Sequence, residues 1–107
     1  MITMNIGNDR LWLAVKALAT MEGDVRSRVV VAMLNIDKIR DIELNKISGL
    51  KERVERLREE TSKKGSLVIN GKVLKDKYQN TADRSKRATY AKHAEEIVSI
   101  WQMTCDS

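Results

Sequence analysis

Apolar residues recur at helical spacing in four segments of the chain, a pattern typical of helices that bury one face. Within each segment they repeat every three or four residues, so their side chains share one side of a helix. The four sets are Leu11, Val15 and Leu18; Val25, Val29, Ala32, Ile36 and Ile39; Ile47, Leu50, Val54 and Leu57; and Tyr90, Ala94, Ile97 and Trp101. They predict helices over about residues 9–22, 24–40, 44–62 and 80–103.

Glycines and short polar residues predict where these helices begin and end. Gly23 can adopt the left-handed conformation that closes a helix, and Asp24 can cap the helix that follows. Asn80 is the predicted cap of the last helix. Ser48-Gly49 leaves two interpretations open. Either the third helix begins there, or it tolerates an internal glycine at a cost of about 1 kcal/mol.

Residues 67–74 form the one predicted non-helical element. Asn70-Gly71 lies between two runs of β-forming residues, which is the strongest short-range signal of a β-hairpin. A type I′ turn there pairs Ile69 with Lys72, Val68 with Val73, and Leu67 with Leu74. A two-stranded ribbon is marginally stable in water, so we expect it to rest on the helices or on a second copy of itself.

Length and composition predict a single all-α domain over residues 1–107, a compact bundle of about four helices with that hairpin. Hydrophobic residues make up 42% of the chain and proline is absent, which argues against a disordered protein and favours helix. Cys105 is the only cysteine, and a lone thiol is typical of a cytoplasmic protein. The longest apolar run, Val29–Leu34, is far shorter than the ~20 residues that cross a bilayer, so no membrane association is predicted.

Positive charge is concentrated in residues 63–92. Nine lysines and arginines stand there against two aspartates, a net charge of +7, while the other 77 residues sum to −2. Such a segment can be a solvated or protein-facing surface, which we prefer, or a site for nucleic-acid phosphates. The candidate nucleic-acid residues are Lys63, Lys64, Lys72, Lys75, Lys77, Arg84, Lys86 and Arg87.

No catalytic residue, metal ligand or cofactor is predicted from the motifs of the chain. Gly65 and Gly71-Lys72 do not form a phosphate-binding loop, because five residues separate the glycines and Val73 replaces the hydroxyl that would meet magnesium. His93, the only histidine, is three residues from Tyr90 and Glu96, but no nucleophile is placed in relation to it. A concave pocket holding His93 would favour a hydrolytic enzyme, the least favoured hypothesis.

In the N-terminal third, Asp9-Arg10-Leu11 leads through Ala19 into Glu22-Gly23-Asp24-Val25-Arg26-Ser27-Arg28-Val29. This stretch resembles the opening of a small uncharacterised bacterial protein family. The resemblance implies a bacterial or phage-like source and a helical fold. It brings no activity, substrate or catalytic residue with it.

The predicted function is therefore binding and not catalysis. We expect a small non-catalytic helical interaction protein that acts by binding a protein partner and self-associates as a two-fold dimer, because the hairpin has open edges and apolar side chains on both faces. The alternative is a nucleic-acid binder without sequence preference that uses residues 63–92.

Overall fold

The computed structural model describes residues 6–105 and shows a mostly helical protein with one two-stranded antiparallel sheet. Its helices are α1 (Ile6–Thr20), α2 (Val25–Ile36), α3 (Asp41–Leu44), α4 (Leu50–Ser62), α5 (Lys77–Asp83) and α6 (Arg87–Cys105), and its strands are β1 (Leu67–Ile69) and β2 (Lys72–Lys75). The helical class and the hairpin are thus confirmed, whereas the described residues contain six helices where about four were predicted.

The junction between α1 and α2 has the predicted chemistry. Gly23 has φ 102°, a left-handed conformation that glycine adopts without a Cβ clash. The Asp24 carboxylate accepts a hydrogen bond from the backbone N–H of Arg26 at 2.8 Å and so caps α2. Helix α1 begins at Ile6, three residues before the predicted start.

The third predicted helix, 44–62, is shorter than expected, since α4 covers only Leu50–Ser62. Gly49 stands at the N-cap of α4 with φ 82°, so the glycine marks a helix start and is not an interruption that a continuous helix tolerates. The separate short helix α3 ends at Leu44, and turns connect it to α4. Of the two interpretations of Ser48-Gly49, the first is confirmed.

The last predicted helix, 80–103, is two helices, and its predicted cap is wrong. Asp76 caps α5 instead, since its carboxylate accepts a hydrogen bond from the backbone N–H of Gln79 at 2.9 Å. Asn80 is buried, and its side-chain amide donates to the backbone carbonyl of Gly65 at 3.0 Å. The side chain satisfies a neighbouring turn and is not available to start a helix.

The hairpin has the predicted turn and most of the predicted register. Asn70 and Gly71 have φ 52° and 77°, as a type I′ turn requires. Ile69 pairs with Lys72, and Val68 pairs with Val73. Leu67 lies opposite Lys75, not the predicted Leu74, because the register shifts between Leu67 and Val68.

The helices share one hydrophobic core that joins α1 to α6. Its largest fully buried apolar members are Tyr78, Tyr90, Leu11, Met33, Ile36, Leu44, Ile97, Ile100, Val29 and Val54. Neither strand contributes a residue to this buried cluster. In the part of the chain from residue 6 to residue 105, no helix has the length and apolar character needed to span a membrane.

Candidate functional site

The β-ribbon, defined as β1, β2 and the Asn70-Gly71 turn between them, leaves apolar side chains exposed on both faces. Val68 and Val73, which share one face, are 52% and 59% exposed. Ile69 and Leu74 are 51% and 52% exposed. Single exposed apolar residues are ordinary, but four neighbouring ones on a single short element form an exposed apolar patch.

The base of the ribbon is held against α5. The Oγ1 atom of Thr81 accepts a hydrogen bond from the backbone N–H of Lys64 at 3.0 Å, just before the chain enters β1. At the other end, the ammonium group of Lys75 pairs with the Asp83 carboxylate, and this contact is the largest cause that lowers the Asp83 pKa. Both partners are exposed, so the pair positions the strand more than it stabilises the protein.

The turn geometry determines which backbone N–H and C=O groups have no hydrogen-bond partner within the ribbon. In a two-residue hairpin the residues that flank the turn, here Ile69 and Lys72, direct their N–H and C=O groups at each other. The next pair, Val68 and Val73, therefore directs its backbone groups away from the ribbon, one residue on each outer edge. Each edge presents a strand-pairing position beside an apolar side chain.

The predicted nucleic-acid residues lie on several different elements. Lys63 and Lys64 follow α4, Lys72 and Lys75 lie in the ribbon, Lys77 begins α5, Arg84 and Lys86 lie in the link after α5, and Arg87 begins α6. Arg84 and Arg87 do not share one helix face, because the helix predicted over 80–103 is broken between these two residues. Lys77 lies over its neighbour Tyr78, with Nζ 5.2 Å from the ring centroid.

Arg87 is engaged in a network around Asp24 that sequence reasoning did not find. Its Nε atom is 3.5 Å from the Asp24 carboxylate, which Arg26 also contacts through Nη2 at 2.8 Å. The Arg26 guanidinium also donates to the backbone carbonyl of Ser85 at 3.1 Å. The hydrogen bond from Arg26 is the main cause that lowers the pKa of Asp24 to about 2. The network joins the start of α2 to the link between α5 and α6, so part of the basic segment is used to hold the fold.

His93 lies in a shallow pocket of about 190 Å³ between α4 and α6, the feature that would favour a hydrolytic enzyme. The lining residues are Arg53, Arg56, Leu57, Glu60, His93 and Glu96, and none of these six carries a hydroxyl or thiol nucleophile. Arg53 donates to Glu96 through Nε at 2.9 Å and Nη2 at 2.8 Å, a bidentate pair that occupies that carboxylate. Burial is the main cause that lowers the pKa of His93.

A second exposed apolar region, on α1, was not predicted to be a surface. Trp12 is 45% exposed and packs at a tilt against Trp101 of α6, with ring centroids 5.6 Å apart. Leu13 beside it is 40% exposed. Residues 12 and 13 fall between the apolar positions of the helical repeat that starts at Leu11, which is the signal that could have placed them outside the core.

No protein-family model matches the chain, and comparison with the curated proteins and with the solved structures found no match either.

Proposed function

We propose that this protein is a non-catalytic interaction module that binds a protein partner through its β-ribbon and self-associates there. The supporting observation is the exposure of Val68, Ile69, Val73 and Leu74, each more than half accessible on an element that adds nothing to the buried core. A two-stranded ribbon of this length is marginal by itself in water. Contact with another protein surface would cover both its apolar faces and its open edges.

The magnitudes favour a reversible dimer. Covering the exposed half of four aliphatic side chains is worth about 3–6 kcal/mol per ribbon, from the usual transfer energy of about 1.5–3 kcal/mol per whole side chain. Two ribbons therefore gain about 6–12 kcal/mol, against an association cost of about 4–15 kcal/mol. Because gain and cost are of similar size, we expect a concentration-dependent equilibrium.

A matched pair of isoleucine variants tests the proposal. Ile69 in the ribbon and Ile42 on α3 are both exposed, at 51% and 64%. Sedimentation velocity over a concentration series should show that the wild type and Ile42→Lys associate while Ile69→Lys stays monomeric. A concentration-independent wild-type monomer, or equal association of both variants, would contradict self-association through the ribbon.

A pocket that holds His93 is the feature that would favour an enzyme, but the residues that line it argue against one. The lining residues include the Glu60 carboxylate and the His93 imidazole, but none of them carries a nucleophile that these groups could activate. The other carboxylate of the pocket, that of Glu96, is paired with Arg53. Within residues 6–105 no three histidine, cysteine or acidic side chains lie where they could hold a metal ion together. The exposed thiol of Cys105 is compatible with a reducing compartment, and we propose the cytoplasm.

Nucleic-acid binding is the second candidate, and the link between α5 and α6 favours it. Arg84 and Lys86 are exposed there without an ion pair among the described residues, next to Arg87 at the start of α6. Titration of labelled duplex and single-stranded oligonucleotides tests this candidate. Non-specific binding has a dissociation constant of about 10⁻⁴–10⁻⁶ M at physiological salt and weakens steeply as salt rises. Binding that Arg84→Ala and Lys86→Ala leave unchanged would exclude this link as the site.

A further inference from the structure

We infer that two copies of the chain join along the outer edge of β1, antiparallel and two-fold symmetric about Val68, to form one four-stranded sheet. The inference rests on the proposed self-association and adds which edge pairs and in which register. The strand order of this sheet is β2-β1-β1-β2, extended from the observed two-stranded order. Backbone hydrogen bonds supply affinity in such strand addition, and the side chains on either side of the seam supply specificity.

Backbone geometry places the two-fold axis at Val68. Its N–H and C=O groups point outward from β1, because the neighbouring Ile69 pairs with Lys72 inside the ribbon. With Val68 of one copy opposite Val68 of the other, the two residues exchange two N–H···O=C bonds and form a hydrogen-bonded antiparallel pair. An isologous interface requires a residue that can face itself, and Val68 is the central residue of β1.

The side chains that meet across this seam are all apolar. On one face the two Val68 side chains lie between the two Val73 side chains, since Val68 and Val73 are already cross-strand partners. On the other face Ile69 of each copy lies opposite Leu67 of the other. No charged residue occurs from residue 66 to residue 70, so the β1 seam contains no like-charge pair.

The outer edge of β2 is less suitable for the same pairing. Strand β2 begins and ends with lysine, Lys72 and Lys75, so pairing it with itself brings lysines of both copies into one seam. Lysine on an edge strand is a common feature that opposes edge-to-edge association. Helix α5 also contacts β2, whereas β1 makes no comparably extensive helix contact.

The basic residues that precede β1, Lys63 and Lys64, lie outside the seam. Gly65 has φ 65°, which turns the backbone, and Asn80 holds the Gly65 carbonyl at 3.0 Å. Lys64 is bound to α5 through its own backbone N–H. The two copies thus bring positive charge near the ends of the sheet but not into its centre. Added salt should therefore leave the dimer intact or strengthen it, opposite to the effect on nucleic-acid binding.

Two proline variants distinguish the edges. Val68 and Val73 are the same residue type, lie on the same ribbon face, and direct their N–H groups at opposite outer edges. Proline at either position removes an outward N–H and no hydrogen bond within the ribbon, which is the arrangement in which edge strands accept proline. We expect Val68→Pro to sediment as a monomer and Val73→Pro as a dimer, including at about 1 M salt, where the Debye length is about 3 Å.

The outcomes separate this inference from the proposed function. Loss of the dimer in Val73→Pro but not in Val68→Pro would overturn the inference that the β1 edges pair. Loss of the dimer in both variants would overturn it as well. Either result leaves self-association through the ribbon in place. A dimer that both variants keep overturns the edge inference, and the isoleucine pair then decides whether the ribbon faces are used. A monomeric wild type overturns both proposals. Far-UV circular dichroism confirms that each variant is folded.

A covalent test does not depend on proline. In a Cys105→Ser background, Val68→Cys should form a disulfide-linked dimer on mild oxidation, because antiparallel hydrogen-bonded partners have Cα atoms about 5.5 Å apart. Val73→Cys is the matched control and should remain unlinked. Equal linking of both variants would contradict the register.

Discussion

The helical body and the β-ribbon are built from similar aliphatic residues, yet they use them in opposite ways. Ile36 of α2 is completely buried, whereas Ile69 of β1 is 51% exposed. A fully buried aliphatic side chain stabilises the fold within one chain. A half-exposed one leaves much of that free energy available to a second molecule. The comparison indicates that folding depends on the body, and we propose that association depends on the ribbon.

Polar side chains follow the same division. In the body, Asp37 accepts hydrogen bonds from the Tyr78 hydroxyl at 2.7 Å and from Arg58 Nε at 3.0 Å, so one carboxylate joins the end of α2 to α5 and α4. At the ribbon, the ion pair between Lys75 and Asp83 is exposed and lies at the base only. Two charge-assisted bonds, a partly buried one from Tyr78 and an exposed one from Arg58, thus connect three helices of the body. Among the described residues, the ribbon tip makes no such bond to the body.

The largest expected difference is between Ile36→Ala and Ile69→Ala. Truncation at Ile36 leaves a cavity in the core and should lower the free energy of unfolding by about 2–5 kcal/mol. The same truncation at Ile69 removes a half-exposed side chain and should cost about 1 kcal/mol or less. Chemical denaturation at a concentration where the wild type is monomeric measures both. Equal losses would show that the ribbon is part of the core.

The next largest effect is expected at Tyr78, whose hydroxyl donates to a charged acceptor. Tyr78→Phe should lower stability by about 1.5–3 kcal/mol, the usual value for such hydrogen bonds. Burial and then the bond to Asp37 raise the Tyr78 pKa well above its usual range. The folded state therefore keeps this proton longer than the unfolded state, and stability should fall as pH rises above about 10. Tyr78→Phe should show a shallower alkaline decline, while Tyr90, whose pKa burial also raises, supplies the remainder.

Two glycines with similar conformations permit a smaller but sharper comparison. Gly49 in the body has φ 82° and Gly71 in the ribbon has φ 77°, and an added Cβ meets no atom within 4 Å at either position. Valine at either site should therefore cost at least the strain of a left-handed residue, about 1–2 kcal/mol. We expect Gly49→Val to lower the global unfolding midpoint. Gly71→Val should instead reduce amide protection in the ribbon and weaken association, and unchanged protection there would contradict the type I′ turn.

These glycines also show how far the sequence predicts the fold. Positive φ at Asn70-Gly71 followed from local chemistry, because few turns connect two strands through two residues. The break at Gly49 was only one of two interpretations, since a glycine within an apolar repeat can start a helix or merely weaken it. Tertiary contacts decide between those outcomes, and the apolar repeat gives no information about those contacts.

The division of the last helix was missed for a related reason. Asp76 and Asn80 are both good N-cap residues, and local sequence does not rank them. The Asn80 side chain donates to the backbone carbonyls of Lys64 and Gly65 in the turn after α4. Asp76 therefore caps the helix instead. The exposure of both ribbon faces could not be predicted for the same reason, because it also depends on contacts between residues far apart in the sequence. Alternation predicts which side chains share a face, but which face a helix covers is set by packing across the whole chain.

The smallest expected effect concerns His93, the only histidine in the sequence and a residue of the body. It is half-buried and meets the Tyr90 ring edge-on, with centroids 4.9 Å apart. Burial is the main cause that lowers the His93 pKa, and Lys63 lowers it further against the opposing effect of Glu60. The unfolded state therefore binds this proton more readily, and stability should decline as pH falls from about 6.5 towards the lower folded pKa.

Nuclear magnetic resonance titration of the His93 ring measures this directly and sharpens the division between body and ribbon. The midpoint should lie below about 6.5, rise in Lys63→Gln and fall in Glu60→Gln, because the two variants remove opposing charges. The other charges that line the same pocket, Arg53, Arg56 and Glu96, stay fixed in both variants. The ribbon contains no group that titrates between about pH 5 and 8, so association should stay constant while the stability of the body changes. A dimer that dissociates along the His93 titration would place the interface at the pocket between α4 and α6 and not at β1.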